Sequence, residues 1–246
     1  MKKKNISLFT AAAYLLFLAI NILSQLLALN AWVLPVSKTL LMPVLMVLLV
    51  SSSPRPLPDL FFVILSALLF SWAGDVFMLF QLQSPGFFIV SLVSFLCAHL
   101  AYITFFVKIK KTAAGWWKKN IHVVVIVLAY GFLLLALLWK KLGDMQIPVL
   151  IYTICIISML LTCMRTQPVV PKVIWIWLGV GALLFVISDS LLALNKFMHP
   201  FLFAGPLIIL TYGLAQLLIV IGSTRFFREF DATVTPAELQ QAGHRW

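Results

Sequence analysis

The chain has 246 residues, 63% of them apolar and 10% charged, with a net charge of +11. A mean hydropathy of +1.09 excludes an ordinary water-soluble enzyme and a disordered chain. The long unbroken apolar runs also exclude a transmembrane barrel, whose strands alternate apolar and polar residues. The remaining class is an all-α integral membrane protein, a bundle of about eight transmembrane helices.

Windows of roughly 20 residues, enough to cross a ~30 Å hydrocarbon core, fall at 6–29, 32–50, 58–80, 86–107, 120–139, 146–163, 173–194 and 201–222. The first follows Met1-Lys2-Lys3-Lys4 and resembles a signal sequence. It is longer than the usual core of about 7–15 residues and has a poor cleavage site near Ala28, so it reads as a span. The second carries Lys38 and Pro43, the third Asp75, and the fourth His99 and Tyr102. The lysine-rich stretch 108–119 surrounds Trp116-Trp117 and reads as an anchor on anionic lipid rather than a nucleic-acid patch. The sixth span carries Tyr152, the seventh Ser188 and Asp189, and the eighth Tyr212 and Gln216. The domain reading is a transmembrane unit over 1–225 and a short polar cytoplasmic tail over 226–246.

Lys and Arg divide unevenly between the two sides. Lys2, Lys3, Lys4, Arg55, the cluster 108–119, Arg165, Lys172, Arg225, Arg228 and Arg245 share one side; Lys140, Lys141 and Lys196 hold the other. By the positive-inside rule both termini are cytoplasmic, in a bacterial inner (plasma) membrane. Cys97, Cys155 and Cys163 all sit in apolar runs without CxxC spacing, which suits packed free thiols rather than a disulfide or zinc site.

Five of the seven acids lie at helix ends, in loops or in the tail; Asp75 and Asp189 lie inside apolar helices. A carboxylate at mid-membrane costs about 2.5–3.5 kcal/mol on insertion scales, so such a residue marks a functional site. Both acids are five residues before the predicted end of spans running in the same direction, which puts them at one level. Lys38 and Tyr152 reach that level from the second and sixth spans, and Asn21 and Gln25 approach it from the first. His99, Tyr102, Tyr212 and Gln216 sit nearer the midplane, completing a polar layer. An offset of 114 residues lays Asp75 on Asp189, Gly74 on Ser188 and Lys38 on Tyr152. Two four-helix halves in parallel repeat, with a site where they meet, are the expected architecture.

No GxSxG elbow, HExxH pair, phosphate loop or redox CxxC is present, and His99 is the one histidine deep in a span, so a histidine-rich metal site is not expected. Two carboxyl groups in a low-dielectric site suit a reaction that protonates a substrate and activates a water. Ser71 or Ser188 with His99 and an aspartate would make a nucleophilic hydrolase instead. The same two aspartates with a lysine would also serve a proton-coupled transporter, or a lipid-binding scaffold without turnover.

Phe70-Ser71-Trp72-Ala73-Gly74-Asp75, His99-Leu100-Ala101-Tyr102 and Phe185-Val186-Ile187-Ser188-Asp189 resemble the lysoplasmalogenase (YhhN-like) family of integral membrane proteins. Lys38 ahead of Pro43, Tyr152 and Tyr212-Gly213-Leu214-Ala215-Gln216 carry the resemblance further, over about 38–222. It implies hydrolysis of the vinyl ether of a lysoplasmalogen to a fatty aldehyde and a glycerophospho-choline or -ethanolamine. Asp75 and Asp189 would be the acid and base in either order, with Lys38, His99, Tyr102, Tyr152, Ser188, Tyr212 and Gln216 supporting them or binding substrate. The implied partners are a lysophospholipid substrate and membrane lipids, with no nucleic acid, obligate protein partner, metal or cofactor.

Overall fold

The computed structural model describes residues 2–27, 29–109 and 115–233; Ala28, Lys110, Lys111 and the polar tail beyond 233 lie outside them. The helices are α1 (Lys2–Leu26), α2 (Val33–Ser52), α3 (Asp59–Leu79), α4 (Pro85–Lys108), the short α5 (Trp116–Lys119), α6 (Ile121–Leu138), α7 (Gln146–Met164), α8 (Lys172–Phe197) and α9 (Ala204–Thr233). Among the described residues, all except α5 contain a stretch long and apolar enough to cross a membrane, giving eight spans. This is an integral, multi-pass membrane protein, and helices are the form in which a lipid-immersed backbone satisfies its own polar groups.

Helix starts follow local chemistry. Pro58 and Pro171 immediately precede α3 and α8, and Pro85 opens α4, where a missing N–H costs nothing. Ser84 caps α4 by accepting from the Gly86 amide. The end of α9 lies well past the expected 222. Phe226 and Phe227 are buried there and pack edge-on against Phe105, at 6.0 and 5.9 Å between centroids. The apolar face therefore continues beneath Arg225 and Arg228, which break the hydropathy signal without breaking the helix. Arg228 donates to the carbonyl of Ser52 (2.7 Å) at the last turn of α2.

Packing follows a closed order: α1 on α2, α2 on α3, α3 on α4, α4 on α7, α7 on α8, α8 on α9 and α9 back on α1. The remaining span, α6, stands outside this ring on α7 and α8. The contacts obey the 114-residue offset. Hairpin α3–α4 corresponds to α8–α9, and the packing of α4 on α7 corresponds to that of α9 on α2. Tyr102 on α4 hydrogen-bonds Gln216 on α9, and these residues are 114 apart. Repeat-equivalent residues that touch each other mark where the two halves meet. The correspondence is not complete: α1 packs on α9, whereas its counterpart α6 makes no comparable packing with α4, and α6 touches α8 where α1 has no comparable packing with α3.

Close approach of α8 and α9 depends on Gly181, where a Cβ would lie 3.0 Å from the Ala215 carbonyl oxygen and 2.8 Å from Ile219 Cγ1. Gly181→Val is expected to destabilise the fold by about 1–3 kcal/mol, read as a lower melting temperature in detergent. Gly179→Ala meets the flexible end of Met164 (Cε, 3.0 Å) and, at ordinary contact distance, Trp175 (Cε2, 3.9 Å), and should melt close to the parent. Equal melting of the two variants would contradict this packing.

Candidate functional site

The site begins with a proline. Pro43 inside α2 has no N–H to give the carbonyl of Thr39, four residues earlier. That carbonyl instead accepts the indole N–H of Trp72 on α3 (3.0 Å). The bond ties α2 to α3 one residue from Lys38 and three from Asp75. Lys38 Nζ stands 3.7 Å from Asp75 Oδ1, and Tyr212 on α9 donates to Asp75 Oδ2 (2.8 Å).

Asp189 has a parallel arrangement. Tyr152 on α7 donates to Asp189 Oδ2 (2.5 Å) and precedes it by 37 residues, the spacing by which Lys38 precedes Asp75. His99 Nε2 lies 3.7 Å from the same oxygen, and the His99 ring sits edge-on between Phe185 and Tyr152. Each acid thus takes one partner from its own half (Lys38 or Tyr152) and one from the opposite half (Tyr212 or His99). The offset on which the two acids were paired is reproduced in their contacts.

The equal distance from helix ends expected of the two acids is not found. The last helix residue is Leu79 for α3 but Phe197 for α8, so the two acids are not equally far from their helix ends. What brings them together is a shared cavity. Asp75, Asp189, Lys38, Ser188 and Tyr212 line one pocket, closed by Met78, Phe95, Leu192, Ile208 and Ile209. Asp75 is almost fully buried (side chain 2% exposed), whereas Asp189 keeps 15%. A second cavity runs between α4, α6, α7 and α8 and is almost wholly apolar. Its lining includes Asp189, Met78, Phe95 and Leu192, four residues that it shares with the polar pocket. Asp189 therefore stands where a polar chamber meets an apolar one. The apolar chamber lies beside α6, where that helix stands off from α4.

The other expected residues divide. Gln216 donates to Ser71 (2.9 Å) while accepting from Tyr102. These three form a buried polar chain beneath the acids rather than contacts to them. Ser188 lines the polar chamber but gives its hydroxyl proton to the Ile208 carbonyl (3.1 Å). Neither Ser71 nor Ser188 hydrogen-bonds His99 among the described residues, so the nucleophilic-serine arrangement has no geometry here. Asn21 and Gln25 do not join the layer around the acids. Asn21 donates to Ser37 (2.9 Å) and the Leu34 carbonyl (3.1 Å), and Gln25 donates to Asn21 (2.9 Å), clasping α1 to α2. No grouping of three His, Cys, Asp or Glu able to hold a metal ion occurs among the described residues. The three cysteines are unpaired, two of them buried.

Two tyrosines were invisible as site residues. Tyr14 on α1 is fully buried and donates to the Gly213 carbonyl (2.8 Å), directly behind Tyr212. Tyr130 on α6 lines the apolar chamber and donates to Ser190 (2.7 Å). Each is a single aromatic in a long apolar run, a pattern that packing alone also produces.

Residues 33–223 match the YhhN family, a stretch that covers the polar chamber, the apolar chamber and every helix except α1 and the end of α9. The chain belongs to the YhhN family. Among curated relatives, a human protein named lysoplasmalogenase TMEM86A is 32% identical over 161 residues, spanning 63% of this chain and 62% of its own. Its Bos taurus counterpart is 30% identical over the same share of each chain. A Mycobacterium tuberculosis protein named lysoplasmalogenase is 30% identical over 63% of this chain and 58% of its own. The matched region thus spans less than two thirds of the length of these relatives. No solved structure matches the chain. In this YhhN protein the two intramembrane acids, their paired partners and both chambers fall inside the matched residues.

Proposed function

We propose that the protein hydrolyses the vinyl ether of lysoplasmalogens, releasing a fatty aldehyde and a glycerophospho-choline or -ethanolamine. The supporting observation is the junction at Asp189 between an apolar chamber and a polar one that holds Asp75. Relatives that match 63% of the chain carry the name lysoplasmalogenase. An alkenyl chain suits the apolar chamber, and a water suits the polar one.

The chemistry then assigns the groups. Asp189, at the border of the apolar chamber, donates a proton to the β-carbon of the vinyl ether, the carbon on the chain side. The π electrons form the new C–H bond, and the ether oxygen lone pair stabilises the cation as an oxocarbenium ion. Asp75, beside the ammonium of Lys38, accepts a proton from a water that attacks the α-carbon. The hemiacetal collapses to aldehyde and alcohol, with the glycerol oxygen taking up the proton. Tyr152 and Tyr212 hold the two carboxyl groups in orientation through their hydroxyls, and the ionised carboxylate also stabilises the cation electrostatically. His99 packs the Asp189 side of the junction. In this reading both termini are cytoplasmic, in a bacterial inner membrane, and the site faces the opposite leaflet.

The direct test is incubation of purified protein with an alkenyl lysophospholipid and with its acyl analogue of the same head group. Aldehyde from the alkenyl lipid, with no fatty acid from the acyl lipid, is the expected result. Fatty acid release, or no product from either, contradicts the proposal.

A further inference from the structure

Resting on that reading, we infer that Lys196, at the mouth of the apolar chamber, binds the phosphate of the lysolipid head group. The substrate then lies along α8 with its head at the bundle end opposite the termini and its vinyl ether at Asp189. Lys196 lines the chamber. Its ammonium lies 4.7 Å above the Phe88 ring and donates to the side-chain oxygen of Gln81 (3.2 Å), a neutral partner. Among the described residues no carboxylate pairs with it, whereas Lys38, the other lysine at this end with a place in a chamber, is held by Asp75. Lys196 is thus a cation with no anion, at the edge of a cavity that is otherwise apolar.

Distance along the helix agrees with the size of the ligand. Lys196 follows Asp189 by two turns, a rise of roughly 10.5 Å. In a lysoplasmalogen, seven bonds separate the phosphorus from the β-carbon of the vinyl ether, roughly 8 Å when extended. Seven residues also bring Lys196 back to the Asp189 face of α8, with its flexible stem free to close on a phosphate. The hydrocarbon chain continues down the chamber toward Gly131, Thr153 and Ile157, which also line an apolar groove between α6 and α7. A chain longer than the chamber therefore has a continuous apolar route outward.

Binding, rather than turnover, separates this assignment from the reaction itself. The probes are a 1-O-alkyl lysophosphatidylcholine, which has no vinyl group to hydrolyse, and the 1-O-alkylglycerol of equal chain length. Free glycerophosphocholine serves as the head group without its chain. Lys196→Met should lose about tenfold in affinity for the alkyl lysophospholipid relative to the alkylglycerol, and Lys196→Arg should restore the ratio. Lys140→Met, a lysine at the same end but outside the chamber lining, should leave the ratio unchanged, as general surface charge would not. Glycerophosphocholine alone should compete weakly, because the chamber holds the chain. An unchanged ratio in Lys196→Met, or an equal fall in Lys140→Met, overturns the assignment. Binding that depends on Lys196 without aldehyde release from the alkenyl lipid would keep this site and refute the hydrolase. Aldehyde release with an unaltered ratio would do the reverse.

Discussion

Asp189→Asn and Asp75→Asn are each expected to lower aldehyde release by about 10²–10⁴-fold, the usual contribution of a positioned acid or base. The substitution is nearly isosteric. Asparagine at 189 still accepts the Tyr152 hydroxyl through its amide oxygen, so the α7–α8 contact survives. A neutral amide also costs less to bury than a carboxylate, and Asp189→Asn should melt no lower than the parent. Asp75→Asn leaves Lys38 without its counter-ion, but Lys38 keeps 19% exposure and reaches polar surroundings along its stem. Activity and stability therefore separate, and that separation is what an acid–base role predicts. Measurement is of aldehyde release beside melting temperature for both variants. Retained turnover in either variant would refute the paired mechanism, whereas loss of turnover together with loss of fold would mark a structural role only.

Lys38→Met removes the cation from a pair whose acid is almost wholly buried. Deleting one member of a fully buried ion pair costs about 3–5 kcal/mol, because the remaining charge stays uncompensated. Lys38 is partly exposed, so about 2–3 kcal/mol is expected here. The Tyr212 hydrogen bond remains but supplies no charge. Release of aldehyde should fall together with the melting temperature. The double variant Lys38→Met with Asp75→Asn should regain the melting temperature without regaining activity, since it removes both charges at once. A double variant no more stable than Lys38→Met alone would show that the pair is not the source of the effect. Lys38→Arg at this 3.7 Å contact is a test of charge without the ammonium's shape, and it should retain most of the stability.

Asp75 and Asp189 were legible as a pair because an ionisable group inside an apolar helix is expensive and therefore conspicuous. Lys38 and Tyr152 were legible through the 114-residue offset, which the contacts reproduce. Tyr14 was not, since a tyrosine in a first span has no cost that distinguishes packing from a hydrogen bond to the Gly213 carbonyl. Asn21 and Gln25 carried a false signal: their polar groups needed partners, and Ser37 and the Leu34 carbonyl were nearer than the acids.

By itself the sequence determined the class, the number of spans and the placement of two acids inside them, because hydropathy and charge placement are additive along a chain. Only the tertiary structure decided which helices are neighbours. Hydropathy says nothing of partners, so the position of α6 outside the ring, and the apolar chamber beside it, has no trace in the 3.6-residue pattern. The same limit hid Lys196. In the linear chain it is one of three lysines on the sparser side, and only folding sets it at the mouth of a cavity two helical turns from Asp189.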